Sequence, residues 1–168
     1  MTCVVRHPAR PGFTLLELIL VMVIAAIAMA LVAPQLRGFG DRRRTEDEAT
    51  QMLLLIRWAR QQAVAEARPY RFNVDVDDGV YYLTAQTEGR FERVASDYGR
   101  RFTLPTDMTV EWIEPRRGGG DAFIRIEPTG LVEPGRIRLV NSEGSSFDLV
   151  SEAAAEPYRL ESTGEGSP

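Results

Sequence analysis

Three patterns of apolar and polar positions follow one another along this chain. From Leu18 to Ala33 no side chain is polar or charged. Counted from Phe13, the apolar run is about 21 residues, roughly 31 Å as a helix and enough to cross the hydrocarbon layer of a bilayer. Glu17 is the acid inside it. A charge costs about 2.5–3.5 kcal/mol at mid-membrane and less near a helix end, so a carboxylate here calls for a function. From Ala49 the period becomes helical: Ala49, Met52, Leu53, Ile56, Ala59, Ala63 and Ala67 recur at three- and four-residue steps. From Tyr70 the period is two, in Tyr70–Val76 and again in Val80–Ala85.

These patterns predict a long helix followed by a β-rich domain. Pro34, with Gly38 and Gly40 after it, marks either the end of the first helix or a weak point in one continuous helix. Asp41 or Thr45 is a candidate cap for the second helical stretch. Leu54, Leu55 and Trp58 widen its apolar face, and Trp58 suits either core packing or contact with a neighbouring subunit. The helix should stop near Arg68, because Pro69 restricts the residue before it. Asp77-Asp78-Gly79 reads as a hairpin turn. Further strands are expected at Phe91–Val94, Arg101–Leu104, Thr109–Ile113, Ala122–Ile126, Arg136–Val140 and Ser146–Val150. Turns are expected at Pro128-Thr129-Gly130 and Pro134-Gly135. Residues 161–168 are polar and Gly/Ser-rich, and are expected to be a disordered tail.

The apolar run admits several readings: a buried core helix, a plain signal anchor, or a secretory signal peptide with Ala28-Met29-Ala30 as a weak cleavage site. Its length and internal acid argue against the last. What precedes it matters more. Residues 1–12 are short and basic, with Arg6 and Arg10 and no acid. They also hold Cys3 and His7, each the only residue of its kind. Were this leader removed, the remainder would have neither Cys nor His, and the formal charge would pass from −4 to −6. That excludes disulfides, Cys- or His-based catalytic pairs and zinc sites built on these residues. The acidic balance argues against a general nucleic-acid binder. All basic residues are Arg.

The remaining candidate chemistry is weak. Asp75, Asp77, Asp78 and Gly79 do not have the spacing of a calcium loop and read as solvated strand ends. Gly118–Gly120 lacks the lysine of a phosphate loop and reads as a flexible linker. Arg100-Arg101 and Arg116-Arg117 read as solvated loop charge rather than nucleic-acid contacts. Arg37, Arg42, Arg43 and Arg44 follow the apolar run on what would be its outer side, where basic residues are disfavoured.

Gly12-Phe13-Thr14-Leu15-Leu16-Glu17, joined to the apolar run, resembles the processing site of type IV pilins and type II secretion pseudopilins. Phe123-Ile124-Arg125-Ile126-Glu127-Pro128-Thr129-Gly130 and Gly135-Arg136-Ile137-Arg138-Leu139 resemble, within that family, minor pseudopilins of the GspH kind and the related FimT/FimU minor pilins. The resemblance implies an α+β, pilin-like fold, with a long N-terminal helix packed on a C-terminal antiparallel β-sheet domain. It implies a cleaved leader at 1–12, a transmembrane and assembly helix at 13–36, an amphipathic half at 37–68 and a periplasmic β-rich domain at 69–160.

It further implies cleavage between Gly12 and Phe13 by a prepilin peptidase/methyltransferase, N-methylation of Phe13, an assembly role for Glu17 and a helix weak point at Pro34. The implied partners are other major and minor pseudopilins and an inner-membrane assembly platform, with no cofactor, metal or catalytic residue. The implied function is that of a minor pseudopilin near the tip of a periplasmic pseudopilus, aiding export of folded proteins across the outer membrane. A type IV minor pilin, in pilus assembly or DNA uptake, is the alternative, and a membrane-anchored periplasmic enzyme is a third class.

Overall fold

The computed structural model of the chain describes residues 14–114 and 122–163, and for 31–39 and 114 it describes the backbone alone. Two compact units meet at Gly38/Phe39. One helix, α1 (Leu15–Glu66), runs through both. In the unit beginning at Phe39, the apolar stripe of α1 supplies one side of the core. Ala49, Met52, Ile56, Ala59 and Ala63 are buried. Alanine recurs in this stripe, and its small side chain allows close approach of the strands. Leu53 and Leu55 complete the buried face.

Two positions depart from the expected stripe. Leu54 is 57% exposed; at one residue from both Leu53 and Leu55 it falls beyond the face they share. Ala67 is exposed and lies past the helix end, at φ 51°. There the chain turns through a left-handed residue and the Arg68 N–H donates to Ala63 O at 3.3 Å, a helix-ending arrangement. Thr45 is not a cap. It sits inside α1, fully buried, and its hydroxyl donates back to Asp41 O at 2.9 Å.

The strands form two antiparallel sheets rather than one. The first has the order β3-β2-β1-β6, with β4 on β2: β1 Tyr70–Asp75, β2 Val80–Thr87, β3 Arg90–Arg93, β4 Phe102–Thr103 and β6 Ala122–Ile126. The second has the order β5-β7-β8-β9: β5 Met108–Glu114, β7 Gly135–Asn141, β8 Ser146–Ser151 and β9 Arg159–Ser162. All eight expected strands are present. β9 was not expected, and it runs two residues into the segment read as a tail.

Alternation explains the faces of β1. Tyr70, Phe72 and Val74 are buried in the core, while Arg71, Asn73 and Asp75 alternate with them. Register follows: Phe72 stands opposite Leu83 on one side and Ile124 on the other. In β7 the same period buries Ile137 and Leu139 and leaves Arg136 and Arg138 on the far face.

Specific polar contacts tie helix and sheets. The Asn141 Nδ2 donates to Thr45 Oγ1 at 3.0 Å, both residues being buried. The Tyr81 hydroxyl donates to Glu48 Oε2 at 3.2 Å. Burial pushes the Tyr81 phenol well above its ordinary range, and the neighbouring Glu48 carboxylate adds to the effect. Trp58 stacks on Tyr98 at 4.5 Å between ring centroids and meets Tyr70 edge-on at 6.2 Å, which places it in core packing. Gly99, in the short 3₁₀ turn Asp97–Gly99, passes so close to the Val94 carbonyl that a Cβ would lie 1.9 Å from its oxygen.

Candidate functional site in the N-terminal segment

The first turn of α1 is built by Thr14 and Glu17. The Glu17 N–H donates to Thr14 Oγ1 at 3.2 Å, and the Leu18 N–H donates to Thr14 O at 3.2 Å. Thr14 therefore occupies the N-cap and Glu17 the third helical position, the Thr-x-x-Glu spacing of a capping box. A carboxylate in the first turn also meets the positive end of the helix dipole. Glu17 thus has a local role that reading it as an isolated acid missed. The signal was in the sequence, as Thr14 three residues before Glu17.

Beyond that turn, every side chain from Leu15 to Ala30 is exposed. Leu15 is 78% and Met29 71% exposed. A contiguous apolar surface of this size marks a surface that something else covers. Among the described residues no helix is long and apolar enough to cross a membrane; the expected 13–36 segment starts one residue before them, and for its residues 31–36 the backbone alone is described. Gly12 and Phe13 lie outside the described residues. The backbone stays helical through Pro34, which has no N–H to offer the preceding turn. The Pro34 side chain lies outside the description.

The other singled-out residues have ordinary structural work. The Asp75 Oδ1 accepts from the Asp78 N–H at 3.1 Å and shapes the β1–β2 turn. Arg100 lies over the Phe102 ring at 4.6 Å and Arg101 over Tyr82 at 5.6 Å. Arg116, Arg117 and Gly118–Gly120 lie outside the described residues.

One charged cluster was not anticipated. Asp148 in β8 is fully buried on the face of its sheet that carries Arg136 and Arg138. Arg138 Nε and Nη2 donate to its two oxygens at 2.8 and 2.9 Å, and Arg136 Nη1 donates at 2.9 Å. Burial pushes the Asp148 carboxyl up, but these bonds outweigh it and hold the group below the usual carboxylate range. Only the register, Arg138 opposite Asp148, makes the cluster visible.

An exposed apolar helix start, leading into a helix that carries two antiparallel sheets, defines a pilin-like subunit. Residues 8–33 match the prokaryotic N-terminal methylation motif, and residues 48–155 match the family of the type II transport protein GspH. The chain belongs to the GspH family. A 72-residue stretch is 38% identical to type II secretion system protein H of Xanthomonas campestris, covering 43% of this chain and 42% of that protein's length.

The fold is similar to that of the minor pseudopilin EpsH from the type 2 secretion system of Vibrio cholerae, with TM-score 0.61 and 12% identity over 73% of this chain and 99% of that one. It is also similar to the type IV minor pilin FimU of Pseudomonas aeruginosa, with TM-score 0.50 and 13% identity over 75% of this chain and 92% of that one. At such identities the likeness concerns the fold.

Proposed function

We propose that the chain is a minor pseudopilin of type II secretion. It is inserted in the inner membrane by residues 13–36, with its β-rich domain in the periplasm, and is incorporated near the tip of a periplasmic pseudopilus that helps export folded proteins across the outer membrane. It acts as a structural subunit and carries out no catalysis. The observation that carries this reading is the N-terminal methylation motif joined, in one chain, to the GspH match.

In this reading a prepilin peptidase/methyltransferase cuts between Gly12 and Phe13 and methylates Phe13. The apolar half of α1 then passes from lipid to a fibre core of like helices, supplied by an inner-membrane assembly platform. A carboxylate in such a core needs a partner. The N-terminal amine of a neighbouring subunit's first residue supplies it, so that Glu17 sets registry as subunits add. Pro34 is the point at which the helix gives.

Two variants test the scheme. Gly12→Ala should leave a precursor heavier by the leader, and an unchanged mature mass would move the cleavage site elsewhere. Glu17→Ala should be processed but enter fibres poorly; normal secretion and normal recovery with neighbouring subunits would end the pairing idea. The second reading, a type IV minor pilin, draws on the fold likeness to FimU. It is weaker because the family match points to type II transport. DNA retention that falls with a small rise in salt would favour it.

A further inference from the structure

The unit beginning at Phe39 carries an open groove at the far end of α1. Arg57, Arg60, Gln61 and Val64 follow one another at the first, fourth, fifth and eighth positions of one helical face, and with Pro157 they line a space of about 570 Å³. Val64 is 54% exposed, so with Pro157 it gives the groove an apolar lining. The neighbouring wall is the turn at 127–131, closed by the Gly130 N–H donating to Glu127 O at 2.9 Å.

Gly130 adopts φ +80°, and a Cβ there would stand 3.2 Å from Val64 Cγ2. Glycine therefore both permits the turn and lets it come against the helix. Arg60 Nε donates to Gly130 O at 2.7 Å and holds the two together.

The charge of the groove is unbalanced. Among the described residues neither Arg57 nor Arg60 has an ion-pair partner. The acids nearest the lining pair elsewhere: Glu156, next to Pro157, with Arg159 at 3.7 Å, and Glu127, in the turn, with Arg125 at 2.6 Å. In a chain with 24 acidic and 20 basic residues, two uncompensated guanidiniums beside an apolar lining favour a ligand with a carboxylate and an apolar side chain. Two arginines are too few for a phosphate track along a nucleic acid.

We propose that this groove receives an extended acidic segment of a neighbouring fibre subunit, with a carboxylate between Arg57 and Arg60 and an adjacent apolar side chain on Val64 and Pro157. The proposal rests on the fibre-subunit reading above. The test is photo-crosslinking of the full chain in its native membranes, with benzoylphenylalanine in place of Gln61 in one strain and of Leu16 in another. The cross-linked peptide is sequenced by mass spectrometry.

The expected product joins Gln61 to another subunit bearing the N-terminal methylation motif, at a segment with Asp or Glu within two residues of an apolar side chain. Arg57→Glu, which leaves the Arg60–Gly130 bond in place, should cut the yield about tenfold, and reversing the partner's carboxylate to Arg should restore it. A product with an uncharged or basic segment, with lipid or with nucleic acid overturns the proposal, as does a yield indifferent to Arg57→Glu. Cross-links from Leu16 without any from Gln61 would refute the groove and leave the fibre reading standing. Absence of both would refute the two together.

Discussion

The two halves of α1 obey different rules. In the second half, apolar residues are confined to a stripe, and that stripe is buried: Ile56 is 2% exposed. In the first half apolar residues occupy every side, and Ile24 is 58% exposed. One is a helix completed by its own chain. The other is a helix whose solvent must come from elsewhere. The difference lies in composition as much as in periodicity: an all-round apolar helix cannot be satisfied by a single sheet on one side.

The sharpest way to break this contrast is a pair of truncations. Ile56→Ala should cost about 2–5 kcal/mol in denaturant unfolding of the domain, as buried aliphatic truncations do. Ile24→Ala should leave that transition unmoved. Equal losses would mean that the first half is packed within the chain after all.

A smaller loss is expected at Asp148. Asp148→Asn should cost about 2 kcal/mol, since two guanidiniums lose a charged acceptor. The pH dependence has a definite sign. The folded-state carboxyl titrates below its ordinary value, so its contribution is complete above about pH 4 and is lost as pH falls through the folded-state value. The variant should therefore show a flatter decline of stability on acidification, followed by urea midpoints at successive pH values. An unchanged slope would remove Asp148 from the account.

Thr45→Val should cost about 1–2 kcal/mol, because the buried Asn141 amide loses its acceptor. Removing Asn141 as well, in a double-mutant cycle, should show coupling between the two. The smallest effect is at the other end. Thr14→Ala should cost about 1 kcal/mol of helix stability, seen as fraying of the first turn in amide exchange in micelles. It should not move domain unfolding.

Much of the fold is legible in the sequence because its signals are local. The change of period at Tyr70, the Asp77-Asp78-Gly79 turn and the eight alternating runs each require only neighbouring residues. What escapes is non-local. The division into two sheets depends on β1 choosing β6, some fifty residues on, over a nearer strand. β9 has a single aliphatic residue, Leu160, in a polar stretch after Pro157, and it becomes a strand because β8 offers it an edge.

Thr45 looks like a cap by residue type, yet it is buried against Asn141, a partner 96 residues away. At the N-terminal segment, the acid and the apolar run are evident from sequence. The Thr14–Glu17 capping relation is legible there too, in the three-residue spacing of the two side chains.

Asp148 has a further consequence for how the β7–β8 hairpin forms. A slip of one residue would swing the carboxylate into the apolar interior and send Phe147 and Leu149 outward. Arg138 could no longer grip both oxygens, and a bare carboxylate would face hydrocarbon. The native alignment is thus separated from its nearest competitors by an electrostatic penalty as well as a hydrophobic one. The aspartate thereby helps to specify a single register for the hairpin.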